Sequence, residues 1–107
     1  MIEVIYWKDH NRVTVKGHAG SDEKGKDLIC AGASALAVAL GANVARLCHE
    51  GYASEQLVRL TPGDAEISCK PKIRYRLSVQ QIFQAVCVGF EMLARQYGEF
   101  ISYECRG

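Results

Sequence analysis

The chain contains no C-x-x-C pair and no Cys/His set at zinc-finger spacing, although it carries five cysteines, at positions 30, 48, 69, 87 and 105. This excludes a zinc-ribbon-like metal centre and a thioredoxin-like redox pair. The opening stretch, MIEVIYWKDH, has no basic segment leading into a hydrophobic core, so no secretory signal is expected. With an odd cysteine count, reduced thiols in the cytoplasm are the natural expectation. Charge of one sign is also missing. Thirteen Lys and Arg against twelve Asp and Glu leave a net charge of +1, which predicts no direct nucleic-acid partner. The most apolar stretch, Leu28 to Ala42, has fifteen residues, and reads as a buried helix rather than a membrane span. There is no repeat, linker or low-complexity run. What remains is 107 residues with 49% hydrophobic and 23% charged side chains, which predicts one domain, 1–107, with a core of modest size.

Along the chain, residues 2–7 are rich in β-branched and aromatic side chains. Asp9-His10-Asn11 then supplies turn chemistry before a second strand over 12–18, in which Val13 and Val15 alternate with polar neighbours. A helix is expected over 28–49. It is apolar nearly all round, through Leu36, Val38, Leu40, Val44 and Leu47, and so should be covered on most sides. Gly51 can stop it. Strands over 56–60 and 65–70 flank Thr61-Pro62-Gly63-Asp64, a strong turn signal, and Pro71 ends the second strand or marks it as an edge. Ser78-x-x-Gln81 has the form of a capping box, ahead of an amphipathic run to Tyr97, with Gly98 suited to the C′ position. A short strand over 100–105 closes the order ββαββαβ. The expected class is α+β: a two-layer sandwich with two helices on one face of a mostly antiparallel sheet.

The chemistry gathers between Gly17 and Ser34. His18 closes the second strand. Asp27 stands where a helix N-cap belongs, which would make Cys30 the third helical residue. Unpaired N–H groups and the positive end of the helix dipole favour a thiolate there, and an imidazole could take the thiol proton. His18 and Cys30 are twelve positions apart, so adjacency in space is permitted but not required. From one Cys and one His alone, the plainer reading is stronger: an inert core thiol and a hydrogen-bonded histidine at a strand end. Cys48-His49 reads as a core cysteine beside a histidine that suits a helix C-terminus. Cys69, Cys87 and Cys105 read as structural. Gly17, Gly20 and Gly25 could be ordinary turn residues, or hinges of a lid over a bound peptide. Ser34 lies one helical turn beyond Cys30. It either bonds the backbone behind it or holds the site together. Asp27 reads as a cap in preference to a partner for His18.

The pattern G-H-A-G, a short loop, then G-x-D-x-[IV]-C-A-x-x-S before an alanine-rich helix resembles the ribosomal-processing cysteine proteases, the Prp family. The residues that carry it are Gly17, His18, Ala19, Gly20, Gly25, Asp27, Ile29, Cys30, Ala31 and Ser34. The resemblance implies a cysteine endopeptidase with His18 as base and acid and Cys30 as nucleophile. Gly17, Ala19, Gly20, Gly25, Asp27 and Ser34 would be supporting or substrate-loop residues. It further implies a homodimer with no cofactor or metal. The implied substrate is the N-terminal extension of large-subunit ribosomal protein number twenty-seven, cut next to a phenylalanine; some relatives process phage structural proteins instead. One departure is Ser21-Asp22-Glu23-Lys24, more charged than the family's loop, where an aromatic often sits. Two rivals use the same residues: a non-catalytic peptide-binding ribosome-assembly factor, and a thiol hydrolase of small esters or amides. Cys30→Ser separates the first, and a requirement for an extended peptide separates the second.

Overall fold

The computed structural model describes residues 1–18 and 26–107, with the side chains of Lys26 and Asp27 outside that set. Strand β1, Ile2–Trp7, buries Ile2, Val4 and Tyr6, one face of its alternation. A single 3-10 turn, Lys8–His10, reverses the chain, with Asn11 in the left-handed region at φ 46°. Asn is among the few residue types that adopt this conformation readily. Strand β2, Arg12–Lys16, then pairs antiparallel to β1 with Val15 opposite Val4 and Val13 opposite Tyr6. Helix α1 spans Lys26–His49, β3 Ala53–Thr61, β4 Asp64–Pro71, α2 Arg76–Gln96 and β5 Ile101–Arg106. The sheet order is β3-β4-β2-β1-β5, antiparallel except for β1 with β5. The predicted order ββαββαβ and the α+β sandwich are therefore what the chain forms.

Both helices lie on one face. Val4, Val13, Ile67 and Ile101 from the sheet join Leu40 and Val44 from α1 and Val79, Phe83 and Phe90 from α2 in one cluster. Each such side chain taken fully from water contributes about 1.5–3 kcal/mol. Helix α1 ends as Gly51 suggested. Gly51 sits at φ +84°, its N–H donates to the Cys48 carbonyl, and the Tyr52 N–H reaches back to that of Leu47. These two bonds are the Schellman pattern, which satisfies carbonyls the helix leaves orphaned.

Several expectations are corrected. Strand β2 stops at Lys16, so His18 lies two residues past it. Helix α1 begins at Lys26, which puts Asp27 inside the first turn instead of at the N-cap, and makes Cys30 the fifth helical residue. The Ser78–Gln81 capping box does not form, because α2 already starts at Arg76 out of a short 3-10 turn, Ile73–Tyr75. Gly98 follows the last turn of α2 without the positive φ of a C′ glycine. Strand β3 starts earlier than expected, at Ala53, because an irregularity between Ser54 and Leu57, with Glu55 at φ 53°, lets it resume pairing with β4.

Helix α1 is covered along one stripe only, Ile29, Ala33, Ala37, Leu40, Val44 and Leu47, while Leu28 and Val38 are exposed. In a two-layer sandwich a helix has sheet beneath it and open space above. The apolar stretch is also longer than the fifteen residues read from sequence. Leu28–His49, like Ile73–Gln96, is long and apolar enough to cross a membrane by length and composition. Here both helices pack their buried stripes on the sheet.

Candidate active site

The end of the sheet where β2 finishes and β3 turns into β4 faces the first half of α1. Between them is a cleft of about 320 Å³. Gly17 and His18 line it from the end of β2, and the turn Thr61 to Asp64 from the hairpin tip. Cys30, Ala33, Ser34, Ala37 and Val38 line it from α1, at spacings that put them on one side of the helix. Ile2, Val15, Leu60 and Ala65 complete an apolar wall.

Local geometry explains how His18 reaches this cleft. Lys16 pairs opposite Asp64 in the β2–β4 register, and the Gly17 N–H then donates to the Gly63 carbonyl at 2.9 Å. Gly17 has φ +98°, and a side chain there would strike the Met1 carbonyl oxygen. Only glycine serves at such a place. The chain thus leaves β2 against the hairpin tip, and the His18 ring lies over Gly63. Cys30 is half-buried on the helix side of the same cleft, packed against the core, while His18 and Ser34 are exposed to it.

The structure therefore brings together Gly17, His18, Cys30 and Ser34. Ala19, Gly20 and Gly25, and with them the lid reading, lie outside the described residues, as does the side chain of Asp27. The longer helix also changes the reading of the N–H donors. A helix leaves its first four N–H groups unpaired, and Cys30, fifth from the start of α1, is past them. Cys30 is consequently a residue on a cleft wall more than one at a bare helix end.

The other thiols differ from Cys30 in their surroundings. Burial pushes Cys69 up to about 11 and Cys87 up to about 12, the latter opposed by a hydrogen bond with Tyr103; Cys48 is raised by burial as well. Cys69 and Cys87 are core residues and Cys48 is half-buried against the core, whereas Cys105 is exposed on β5. Among the described residues, no group of three or more His, Cys, Asp or Glu side chains is gathered as a metal site would require. Sequence reasoning missed the hairpin tip. Thr61-Pro62-Gly63-Asp64 was legible as a turn, but nothing in it announces that the turn underlies His18. The apolar wall of Val38 and Leu60 was equally silent, since each reads as core.

The family described as cysteine protease Prp matches residues 1–102 of the chain. Among curated proteins none matches. Among solved structures, SMU.848 from Streptococcus mutans is 27% identical, with a TM-score of 0.66 over 98% of this chain and 91% of that one. An essential ribosomal processing protease Prp from S. aureus has the same fold. Its complex with a covalently linked product peptide is 22% identical with a TM-score of 0.66, and its complex with a substrate peptide 21% with 0.67. Both cover 98% of this chain and 97% of theirs.

Proposed function

The chain belongs to the cysteine protease Prp family, and from that premise we propose that it is an endopeptidase working through His18 and Cys30 on the N-terminal extension of large-subunit ribosomal protein number twenty-seven. The observation that carries the reading is that His18, just past β2, and Cys30 and Ser34, on α1, line one cleft with an apolar wall. The peptide complexes of the S. aureus relative support a peptide as the occupant.

In this reading His18 takes the proton of the Cys30 thiol, and the sulfur attacks the scissile carbonyl carbon. The tetrahedral intermediate collapses to a thioester as the C–N bond breaks, and the amine leaves with the proton that His18 returns. The remaining thioester is opened by a water molecule that gives its proton to His18, and the Cys30 sulfur leaves and is reprotonated. Ser34, on the same wall one turn from Cys30, offers a hydroxyl to the bound peptide. Val38 and Leu60 receive the apolar side chain beside the cut. A cytoplasmic homodimer without cofactor completes the proposal. Exposed apolar side chains on the outer helix faces, such as Leu28, Val88 and Met92, support the pairing.

The test is incubation of the purified protein with the precursor of ribosomal protein number twenty-seven, followed by mass analysis. Cleavage at one site, abolished by Cys30→Ser and His18→Ala with peptide binding retained, is the expected result. Function that survives Cys30→Ser would replace the protease with the binding module.

A further inference from the structure

We propose that Gly63, at the tip of the β3–β4 hairpin, is a positioning residue for His18, and that its missing side chain makes room for the imidazole in the cleft. The inference rests on the reading of His18 as proton carrier. A Cβ built on Gly63 would fall against His18 Nε2, 2.7 Å from Cε1 and 3.3 Å from Cδ2. Ordinary van der Waals contact begins near 3.4 Å, so the ring and a β-carbon cannot share this place.

The hairpin tip is tied to the chain that bears the histidine. The Gly63 carbonyl accepts from the Gly17 N–H at 2.9 Å, one residue before His18, and Thr61 Oγ1 closes the turn by donating to the Asp64 carbonyl at 2.8 Å. Backbone on both sides is thereby fixed, while the atoms a β-carbon would meet are the far end of an exposed side chain. A substitution at Gly63 moves the ring and leaves the turn in place. Gly17 is the opposite case, because there the obstacle is the backbone of Met1.

Two demands on Gly63 can be separated. The turn requires a residue at φ +73°, which Asn also adopts. The cleft requires that there be no Cβ, which only glycine meets. Gly51, at φ +84° with nothing nearer than Lys72 Nζ at 3.8 Å, carries the first demand without the second.

The experiment compares Gly63→Ala, Gly63→Asn, Gly51→Ala and His18→Ala. It records the melting temperature, the ring resonances of His18 in histidine-labelled protein, the rate at which iodoacetamide modifies Cys30 between pH 5.5 and 8, and cleavage of the precursor peptide. Both Gly63 variants are expected to move the His18 resonances and bring the Cys30 rate down to that of His18→Ala. They should lower kcat about 10²-fold with KM little changed, the size of loss that a misplacement of about 1 Å produces. Gly63→Ala should melt like Gly51→Ala, whose cleavage stays normal. Wild-type His18 resonances and a wild-type Cys30 rate in Gly63→Asn would overturn the proposal and leave Gly63 a turn residue only. Should His18→Ala leave the Cys30 rate unchanged while the Gly63 variants still move the resonances, the positioning stands and the proton-carrier reading falls.

Discussion

Val58 of β3 stands against the bare face of Gly41 in α1, its Cγ1 2.9 Å from the point where a side chain on that glycine would begin. Val58 is β-branched and held in a strand, so it cannot swing aside. Gly32, earlier on α1, has only the flexible end of Leu93 nearby, at 3.6 Å. Replacing a helical glycine by alanine gains roughly 1 kcal/mol of intrinsic propensity, and overpacking costs about 1–3 kcal/mol. Gly32→Ala should therefore stabilise the protein by up to about 1 kcal/mol, and Gly41→Ala should destabilise it by about that much. Urea denaturation of the two variants checks the opposite signs.

Phe83 is fully buried in α2 and stacks on Tyr6 with ring centroids 6.2 Å apart. Phe83→Ala should cost about 3–5 kcal/mol, a large part of the stability of a domain this size. The Tyr6 hydroxyl is buried with no hydrogen-bond partner among the described residues. Tyr6→Phe should therefore leave stability unchanged or raise it by up to about 1 kcal/mol. Paired denaturation curves decide both.

Alkaline pH should unfold the protein early, and the buried thiols set the sign. Folding raises Cys69 to about 11 and Cys87 to about 12 from an ordinary 9.0, so the folded state holds these protons more tightly than the unfolded one. Their stabilisation is complete below pH 9 and is lost as pH climbs through 11 and 12. Each unit of difference is worth about 1.4 kcal/mol, so the total loss by pH 11 is on the order of several kcal/mol. The urea midpoint measured from pH 8 to 11 should fall steeply, and less so in Cys87→Ala.

Iodoacetamide at neutral pH should label Cys30 and the exposed Cys105 well ahead of Cys48, Cys69 and Cys87, whose thiols burial keeps protonated. His18→Ala should slow Cys30 and leave Cys105 untouched. Peptide mapping by mass spectrometry gives both rates in one sample.

Val38 is a cleft residue that is 53% exposed, so a charge there burdens the bound peptide more than the fold. Val38→Asp should raise KM at least tenfold, since burying one apolar side chain is worth about 1.5–3 kcal/mol, with the melting temperature held. An unchanged KM would take Val38 out of the peptide-binding wall.

The elements were legible in the sequence where local chemistry decides them. Ile2–Trp7 is rich in β-branched and aromatic side chains, Pro62-Gly63 turns the chain, and Gly51 ends α1 through its own backbone. Cys30 and His18 were marked by the glycines and small residues around them. What stayed hidden depends on partners far along the chain. Nothing local says that Val38 faces solvent while Leu40 is buried, because both are aliphatic residues on one helix and the sheet alone distinguishes them. The capping box at Ser78 was a sound local signal overridden when the 3-10 turn at Ile73–Tyr75 started α2 earlier. Gly63 was read as a turn residue, which it is; that His18 rests on it follows from the β2–β4 register.

The parallel pairing of β1 with β5 joins the second residue to the hundred-and-first, so β1 waits for a strand made about a hundred residues later. While the ribosome is still extending the chain through α2, one edge of β1 has no neighbour, and Ile2, which also lines the cleft, lacks the backing of Ile101. Such long-range closure slows folding and leaves an open strand edge until synthesis passes β5. The cleft accordingly gains its finished wall only after β5 has emerged and docked.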